Sequence, residues 1–308
     1  MAVIAILAIA SMVFINRVMP SAYAVPNVAA QQWYTTASGA IRYQVVGEGD
    51  TALLFLHGFN SHLGQWDGVW TRLQSSPYRL VRMDLPGYGQ SSWRESDFSL
   101  SAQSSRVVAL MDHLHLNRVV LVGTSMGGSL AAWIASHYPN RVTGLCLLAP
   151  SGFPGSLTYP GWFGRLIRPG PAHSAAQWIS STGLYGVLFP GSRARQALSV
   201  TSGYGAAWSE ALESITAPTV IIWSTGDQTA DSKAATNVNA AIRGSVLLLL
   251  DKSTGHSIAG DRPDLVVYVA LQLATGDSPA LSSARLPGYL LHSGEQMRTF
   301  DSHSSYNR

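Results

Sequence analysis

The 308-residue sequence predicts an α/β fold in which helices cover both faces of a mostly parallel sheet. Two observations carry this prediction. Short apolar runs recur without the polar alternation of a half-exposed strand, which is typical of strands buried on both faces of a parallel sheet. These runs alternate along the chain with stretches of helical periodicity, as expected when helices connect parallel strands. Because 46% of the residues are hydrophobic, one large domain can bury a substantial core.

The predicted elements follow in regular order. Strands are expected around Tyr34 and over residues 41–46, 51–56, 78–84, 119–122, 145–149, 218–223 and 246–250. Helices are expected over residues 63–73, 100–116, 129–138, 232–242 and 263–273, with short helical pieces at 175–179 and 206–212. In the helix at 100–116, Val107, Leu110 and Leu114 share one apolar stripe, which we expect to pack on the rest of the core.

The regular order breaks between residues 151 and 215, where no sheet strand is expected. This segment contains five prolines and many glycines. An insertion that lies over the sheet as a lid accounts for this composition. The core is therefore expected over residues 30–150 and 216–275. Residues 276–308 are polar and aperiodic, and they are expected to form a flexible tail.

The first 24 residues are typical of a targeting or anchoring segment. Residues 2–15 are apolar apart from Ser11, and the triplet Ala22-Tyr23-Ala24 has the small residues of a signal cleavage site. No Lys or Arg precedes the apolar run, which departs from the usual signal pattern. An apolar segment that continued to Ala24 would have about the length that spans a bilayer. A cleaved signal, a retained anchor and a core helix remain open; export to the periplasm or medium, or membrane anchoring by the N-terminus, is expected.

Charge and cysteine content exclude several classes of function. The formal net charge is only +3, and no Lys/Arg cluster or basic stripe with interleaved aromatics occurs, so no nucleic-acid partner is expected. Cys146 is the single cysteine, which excludes an intrachain disulfide and a site built from several thiolates. It lies within the apolar run 145–149 and is predicted to be a buried core residue. No metal site is predicted.

The hexapeptide Gly123-Thr124-Ser125-Met126-Gly127-Gly128 joins a predicted strand to a predicted helix. Glycines on both sides of Ser125 are typical of a tight turn in which strand and helix pack too closely for Cβ atoms. The turn would present Ser125 at a helix N-terminus, where unpaired N–H groups and the helix dipole favour negative charge. Ser125 is therefore the predicted nucleophile.

A serine nucleophile needs a base and a carboxylate, and both must follow strands that end at the same edge of the sheet. His256 lies six residues beyond the run that ends at Leu250, and Asp227 lies four residues beyond the run that ends at Trp223. The order serine, aspartate, histidine is the one that this type of serine turn predicts. Asp227 is the predicted carboxylate and His256 the predicted base.

Other residues remain open for these two roles. Asp231 and Asp251 also lie near strand ends and are alternative carboxylates. His57 and His173 are weaker alternatives for the base. A turn or helix cap is the common structural role of such aspartates, so position alone does not decide between them.

The segment His57-Gly58-Phe59 follows the predicted strand 51–56 and is expected to complete an oxyanion site. Gly58 allows the backbone to turn, which leaves the Phe59 N–H free to donate together with the N–H of Met126. His57 is expected to form hydrogen bonds within this loop.

These motifs together resemble a known family. They are His57-Gly58-Phe59, Asp84-Leu85-Pro86-Gly87-Tyr88-Gly89, Gly123-Thr124-Ser125-Met126-Gly127-Gly128, Asp227 and Gly255-His256. Over residues 33–274 the chain resembles the α/β-hydrolase fold superfamily, and within it the single-lid group of serine esterases, lipases and carbon–carbon hydrolases. The resemblance implies an eight-stranded sheet, a lid between the sixth and seventh strands and no cofactor. Thr124 replaces the asparagine or histidine often found before the serine, which leaves the subfamily open.

The resemblance implies hydrolysis of carboxylic esters through an acyl-enzyme on Ser125. Serine at this position separates the chain from similar epoxide hydrolases and dehalogenases, which carry aspartate there. We expect a small-molecule ester or acyl substrate in a pocket walled by Trp162, Phe163, Trp178 and Trp208. Hydrolysis of a carbon–carbon bond in a vinylogous diketone, and a binding protein of low turnover, are the alternatives. Acyl-chain preference and oligomeric state are left open.

Overall fold

A computed structural model describes residues 26–94, 97–152, 206–276 and 291–292. Its strands are β1 Gln31–Thr36, β2 Gly39–Val46, β3 Ala52–Leu56, β4 Arg79–Met83, β5 Val119–Thr124, β6 Val142–Leu148, β7 Thr219–Ser224, β8 Val246–Leu250 and β9 Leu291–His292. Its α-helices are α1 Asp67–Leu73, α2 Leu100–His113, α3 Met126–His137, α4 Ala206–Glu213, α5 Lys233–Ala241, α6 Ile258–Asp261 and α7 Pro263–Thr275. Two 3₁₀ segments, Leu63–Trp66 and Pro139–Arg141, complete the described elements.

The strands form one sheet in the order β1-β2-β4-β3-β5-β6-β7-β8-β9. The pairings from β4 through β8 are parallel, whereas β1, β2 and β9 join antiparallel at the two sides. The predicted mostly parallel sheet is confirmed, and its eight predicted strands occur in the predicted order. The ninth, Leu291–His292, lies in the segment expected to be tail and pairs with β8.

Burial explains why the central strands are apolar throughout. Every residue of β3, β5 and β7 is buried, because helices cover both faces of these strands. Helix α3 packs on β5 and β6 with α2 beside it, and α7 packs on β6 and β5 with α1 beside it. In contrast, the edge strand β1 contains only exposed and partly buried residues and carries Trp33, which is 43% exposed.

Local sequence signals set the helix ends. Ser99 caps α2 by accepting the N–H of Ala102 at 3.2 Å, and Pro263 begins α7 where no helical N–H partner is needed. Helix α7 ends at Gly276, whose φ of +77° is the left-handed conformation that glycine adopts without strain. The helices predicted within the described residues are present, although α3 starts at Met126 rather than residue 129; the helical piece predicted at 175–179 lies outside those residues. The one-turn helix α6 was not predicted.

Several predictions fall outside the described residues. The apolar segment at 2–15, most of the predicted lid at 151–215 and most of the predicted tail are among them. Among the residues that the structure describes, no helix combines the length and hydropathy needed to cross a membrane. The same residues contain no group of three or more His, Cys, Asp or Glu side chains arranged to hold a metal ion.

Candidate active site

Ser125 sits in the sharp turn between β5 and α3 with a strained backbone. Its φ of +51° and ψ of −117° are rarely adopted by residues other than glycine. The surroundings hold this conformation: the Ser125 N–H donates to the Leu148 carbonyl at 2.8 Å, and the Ser125 carbonyl accepts the N–H of Ser129 at 3.0 Å and of Ser151 at 3.2 Å. Strain that neighbouring groups enforce is typical of functional sites. The predicted turn is therefore present, with Ser125 partly exposed.

The glycines of this turn are required by close backbone contacts. A Cβ on Gly127 would lie 2.5 Å from the carbonyl oxygen of His57 and would also collide with that of Leu56. A Cβ on Gly123 would collide with the Gly127 carbonyl group. Real Cβ atoms essentially never approach backbone atoms so closely. The turn can therefore pack against the end of β3 only with glycine at both positions.

Sheet register brings the segment after β3 to the serine. Leu56 pairs with Gly123 across the parallel β3–β5 ladder, so the residues two positions further on are neighbours. A Cβ built on Gly58 would lie 3.5 Å from the Ser125 Cβ. Phe59 follows directly, and its ring packs edge-on against Tyr88, with 5.9 Å between ring centroids. In the structure this loop therefore lies beside Ser125, while its role as an oxyanion site stays a prediction.

His57 is a buried support of this loop. Its Nε2 accepts the Leu85 N–H at 2.9 Å, so the other nitrogen, Nδ1, carries the proton and donates to the Gly58 carbonyl at 2.7 Å. The side chain is fully buried. Hydrogen bonding within and around the loop, as expected from the sequence, occupies both ring nitrogens of His57, which leaves neither free to act as a base.

Asp227 and His256 form a direct pair. Asp227 Oδ2 lies 2.6 Å from His256 Nδ1, and the carboxylate side chain is fully buried while the imidazole is 24% exposed. Asp227 Oδ1 accepts the N–H groups of Thr229 and Ala230, each at 2.8 Å. The carboxylate is thus fixed by backbone donors on one oxygen and orients the imidazole with the other.

The loops that carry this pair are joined at their base. Ser224, the last residue of β7, donates its hydroxyl to the Asp251 carbonyl at 2.9 Å and also contacts the Thr254 carbonyl. A Cβ on Gly226 would collide with the carbonyl oxygens of Lys252 and Thr254. The two loops therefore pack backbone to backbone, which brings residues 29 positions apart in sequence into contact.

The alternative carboxylates have local partners instead. Asp231 Oδ1 accepts the Lys233 N–H at 3.0 Å, at the start of α5. Asp251 Oδ1 accepts the Ser253 N–H at 2.8 Å. These are the turn and capping roles common for aspartate. His173, the other alternative base, lies outside the described residues.

Met126 and Phe59 carry the two predicted oxyanion donors. Met126 is the first residue of α3, so its N–H belongs to the unpaired first turn of the helix. Among the described residues, neither the Met126 N–H nor the Phe59 N–H has a hydrogen-bond acceptor. Met126 follows Ser125 directly in the chain, and Phe59 follows Gly58, which lies against Ser125.

Of the four predicted pocket residues, only Trp208 is described. It lies in α4, is 2% exposed, and stacks parallel to Trp133 with 6.5 Å between ring centroids. This ring pair packs α4 against α3, and a role for Trp208 in substrate binding stays a prediction. Trp162, Phe163 and Trp178 lie outside the described residues.

Burial shifts the pKa values of Tyr43, Cys146 and Arg82, which lie outside the site, and raises that of the Tyr43 hydroxyl. Burial raises the pKa of the Cys146 thiol, which is fully buried in β6 as predicted. Burial also lowers the pKa of the Arg82 guanidinium, and the hydrogen bond and charge of Asp67 oppose that effect. The Cys146 thiol is thereby held protonated, which makes it a poor nucleophile.

The sequence alone predicts no role for Gln65, Arg42 or Asp84. Asp84 is buried in an ion pair with Arg42 at 3.4 Å, and its carboxylate also accepts the N–H groups of Leu63 and Gln90, each at 2.7 Å. It therefore ties together the two loops that follow β3 and β4. The motif that contains Asp84 was recognised from the sequence, but its long-range partners follow no local spacing.

Comparisons with known proteins agree with this architecture. A family model described as alpha/beta hydrolase fold matches residues 51–183. The dihydrolipoyllysine-residue acetyltransferase component of the acetoin cleaving system from Cupriavidus necator is 37% identical over 125 residues, which cover 41% of this chain and 33% of that protein. The chain therefore spans only about a third of that relative.

Another relative matches over most of its length. Human monoacylglycerol lipase ABHD6 is 30% identical over 246 residues, which cover 69% of this chain and 72% of the lipase. Among solved structures, a thermophilic esterase from Thermogutta terrifontis superposes with a TM-score of 0.61 over 81% of this chain and 99% of the esterase, at 20% identity. At that identity the likeness concerns the fold alone.

Proposed function

Because the chain belongs to the alpha/beta hydrolase fold family, we propose that it is a serine hydrolase that cleaves carboxylic esters through an acyl-enzyme. Ser125 is the nucleophile, His256 the base and Asp227 the carboxylate that orients the base. The observation that carries this proposal is the 2.6 Å contact between Asp227 Oδ2 and His256 Nδ1. It fixes one ring nitrogen as the donor and leaves Nε2 as the acceptor that a serine hydroxyl requires.

The order of proton transfers follows from this tautomer. His256 Nε2 takes the Ser125 proton as Oγ attacks the ester carbonyl carbon, and the carbonyl electron pair moves onto oxygen. When the oxyanion collapses, the carbon–oxygen bond to the alcohol breaks and His256 returns the proton to the departing alcohol. Water then repeats the sequence on the acyl-enzyme, which releases the acid and restores the serine hydroxyl.

The negative charge of the tetrahedral intermediate needs donors that are already in place. The N–H groups of Phe59 and Met126 fill this role in the proposal, since among the described residues neither has an acceptor. The start of α3 adds the favourable end of the helix dipole. Donors that need no reorganisation as charge develops account for much of the rate enhancement in reactions of this kind.

A contact between distant loops supports the approach of base to nucleophile. Helix α6 begins two residues after His256 and packs against the segment Leu63–Trp66. That segment also contacts the loop beside the serine, because Gln65 accepts the Gly58 N–H at 2.9 Å. One short segment thus touches both the loop of the base and the loop next to Ser125.

For the substrate we propose an uncharged ester with an apolar acyl chain, of the monoacylglycerol class. The 30% identity to a monoacylglycerol lipase supports this choice, and so do the predicted lid aromatics. The N-terminal apolar segment supports export or anchoring at a membrane, where such esters partition.

Hydrolysis of p-nitrophenyl esters of increasing chain length, and of a monoacylglycerol, tests the proposal. The variant Ser125→Ala is expected to lose about 10⁴-fold or more in kcat because the acyl-enzyme can no longer form. Ser105→Ala, on the exposed side of α2, is the matched control and should retain wild-type activity. Undiminished turnover by Ser125→Ala would remove Ser125 from the mechanism. Turnover of a vinylogous diketone without ester cleavage would favour carbon–carbon hydrolysis.

A further inference from the structure

The carboxamide of Gln65 lies beside the candidate nucleophile. Its Oε1 accepts the Gly58 N–H at 2.9 Å. A Cβ built on Gly58 would lie 3.7 Å from that oxygen and 3.5 Å from the Ser125 Cβ. The carboxamide and the serine side chain therefore both adjoin Gly58, on the side where glycine has no side chain.

The charged side chains of Asp84 and Arg82 hold the segment Leu63–Trp66, which contains Gln65. Asp84 accepts the Leu63 N–H at 2.7 Å, and Arg82 donates to the Leu63 carbonyl at 3.3 Å. Arg82 also pairs with Asp67 at 2.5 Å, just after the segment. Trp66, next to Gln65, is fully buried. These contacts hold both ends of the short 3₁₀ helix and so fix the backbone from which the Gln65 side chain extends.

The backbone of Gly58 is held by two side chains, Gln65 at its N–H and His57 at its carbonyl. Glycine lacks the Cβ contacts that limit φ and ψ in other residues, so the peptide planes on its two sides rotate more freely. The Gln65 oxygen fixes one of these planes by accepting its N–H. Across Gly58, the next peptide carries the Phe59 N–H. The Gly58 carbonyl belongs to that same peptide and accepts the His57 Nδ1 proton at 2.7 Å, so His57 and Gln65 together set the direction of the Phe59 donor.

We propose that Gln65 is a positioning residue for the oxyanion site: by accepting the Gly58 N–H it acts with His57 to aim the Phe59 N–H at the developing oxyanion. This inference rests on the proposed function, because it assumes that Ser125 forms a tetrahedral intermediate. Gln65 forms no hydrogen bond with Ser125 or His256, so in this proposal it acts only through the loop that contains Gly58. Removal of its acceptor oxygen weakens binding of the transition state more than binding of the substrate.

The variants Gln65→Met and Gln65→Leu test this role, since both fill the space of the glutamine without an acceptor. We expect kcat per active site to fall about 10- to 100-fold, which is less than the loss on deleting an oxyanion donor outright. KM should change by less than about threefold, since the loop has no proposed contact with the ground-state substrate. The affinity for a trifluoromethyl ketone, which forms a tetrahedral adduct on the serine, should fall in parallel with kcat.

Controls separate this inference from the proposed function and from folding. Gln74→Met and Gln74→Leu make the same changes at an exposed position after α1 and should leave every parameter unchanged. Titration of active sites with a fluorophosphonate counts folded enzyme, so partial unfolding does not mimic a lower kcat. Wild-type kcat and ketone affinity in both Gln65 variants would overturn the positioning role. Absence of labelling in the wild-type protein would instead overturn the proposed function.

Discussion

The two halves of the candidate site are built by different means. The half around Ser125 is made of backbone: two loops and a helix start approach so closely that Gly123 and Gly127 leave no room for a Cβ. The half around His256 is made of side-chain hydrogen bonds, with the Asp227 carboxylate placed between backbone donors and the imidazole. The first half depends on close backbone packing; in the proposed mechanism, the second depends on the charge of Asp227 and the tautomer of His256.

This difference means that substitutions in the two halves should fail in different ways. A change at a glycine of the serine turn should first reduce stability, because it forces backbone atoms apart. A change at the Asp227–His256 pair that preserves size should leave the fold intact and reduce the rate. Parallel measurements of melting temperature and kcat therefore distinguish the two halves.

Among the substitutions that compare the two halves, Asp227→Asn is expected to have the largest effect. Asparagine keeps one oxygen for the N–H groups of Thr229 and Ala230, so the turn is preserved. Its amino group then faces His256 Nδ1, which must accept rather than donate, and the proton moves to the nitrogen that should receive the Ser125 proton. We expect kcat to fall about 10³- to 10⁴-fold with a nearly unchanged melting temperature. Ester hydrolysis and thermal unfolding measure the two quantities.

Asp231→Asn and Asp251→Asn are the matched controls for that prediction. Both aspartates accept local backbone N–H groups, and asparagine can accept them too. Their kcat should stay within about twofold of the wild-type value, since surface changes of this kind have small effects. A loss at Asp231 or Asp251 as large as the loss at Asp227 would contradict the assignment of the carboxylate.

A smaller effect, on stability, is expected for Gly127→Ala. The added Cβ would collide with the carbonyl groups of Leu56, the last residue of β3, and of His57, which follows it; these backbone groups cannot move as a flexible side chain does. We expect a loss of about 1–3 kcal/mol in the free energy of unfolding, the usual range for overpacking. The activity per folded molecule should fall as well, because the same carbonyl groups precede Gly58. Denaturant unfolding monitored by fluorescence measures the loss.

Gly68→Ala serves as the control for a glycine without such contacts. Gly68 lies in α1, and its added Cβ would meet the side chains of Pro263 at 3.4 Å and Arg72 at 3.8 Å, both at ordinary contact distances. Alanine is favoured over glycine within helices by about 0.5–1 kcal/mol, so this variant should be as stable as the wild type or more so. If Gly127→Ala were equally well tolerated, the account of the backbone-built half would be wrong.

The sequence predicts most of the sheet because its signals are local. Unbroken apolar runs mark β3, β5 and β7, and a strand–glycine–serine–glycine–helix pattern marks the turn at Ser125. The chain order of the strands then places Asp227 and His256 after strands that end at the same edge. The expectation that these two residues belong together followed from that topology.

Features that depend on tertiary contacts were not predictable in the same way. Leu291–His292 is too short to show a strand pattern, and it forms a strand only because the edge of β8 offers a partner. Helix α6 spans four residues, fewer than a periodic pattern needs. The contact between Gln65 and Gly58 joins residues seven positions apart through a loop of irregular shape, so no periodic spacing indicates it.

The most direct test of the central claim is covalent labelling of Ser125 by a fluorophosphonate, located by peptide mass spectrometry in the wild-type protein and in His256→Ala. An activated serine at this turn predicts one adduct, on Ser125, in the wild type. Without the imidazole that receives its proton, labelling of the variant should be slower by about 10³-fold or more. An unlabelled Ser125 in folded wild-type protein, or equal labelling rates in the two proteins, would contradict the claim that His256 activates Ser125.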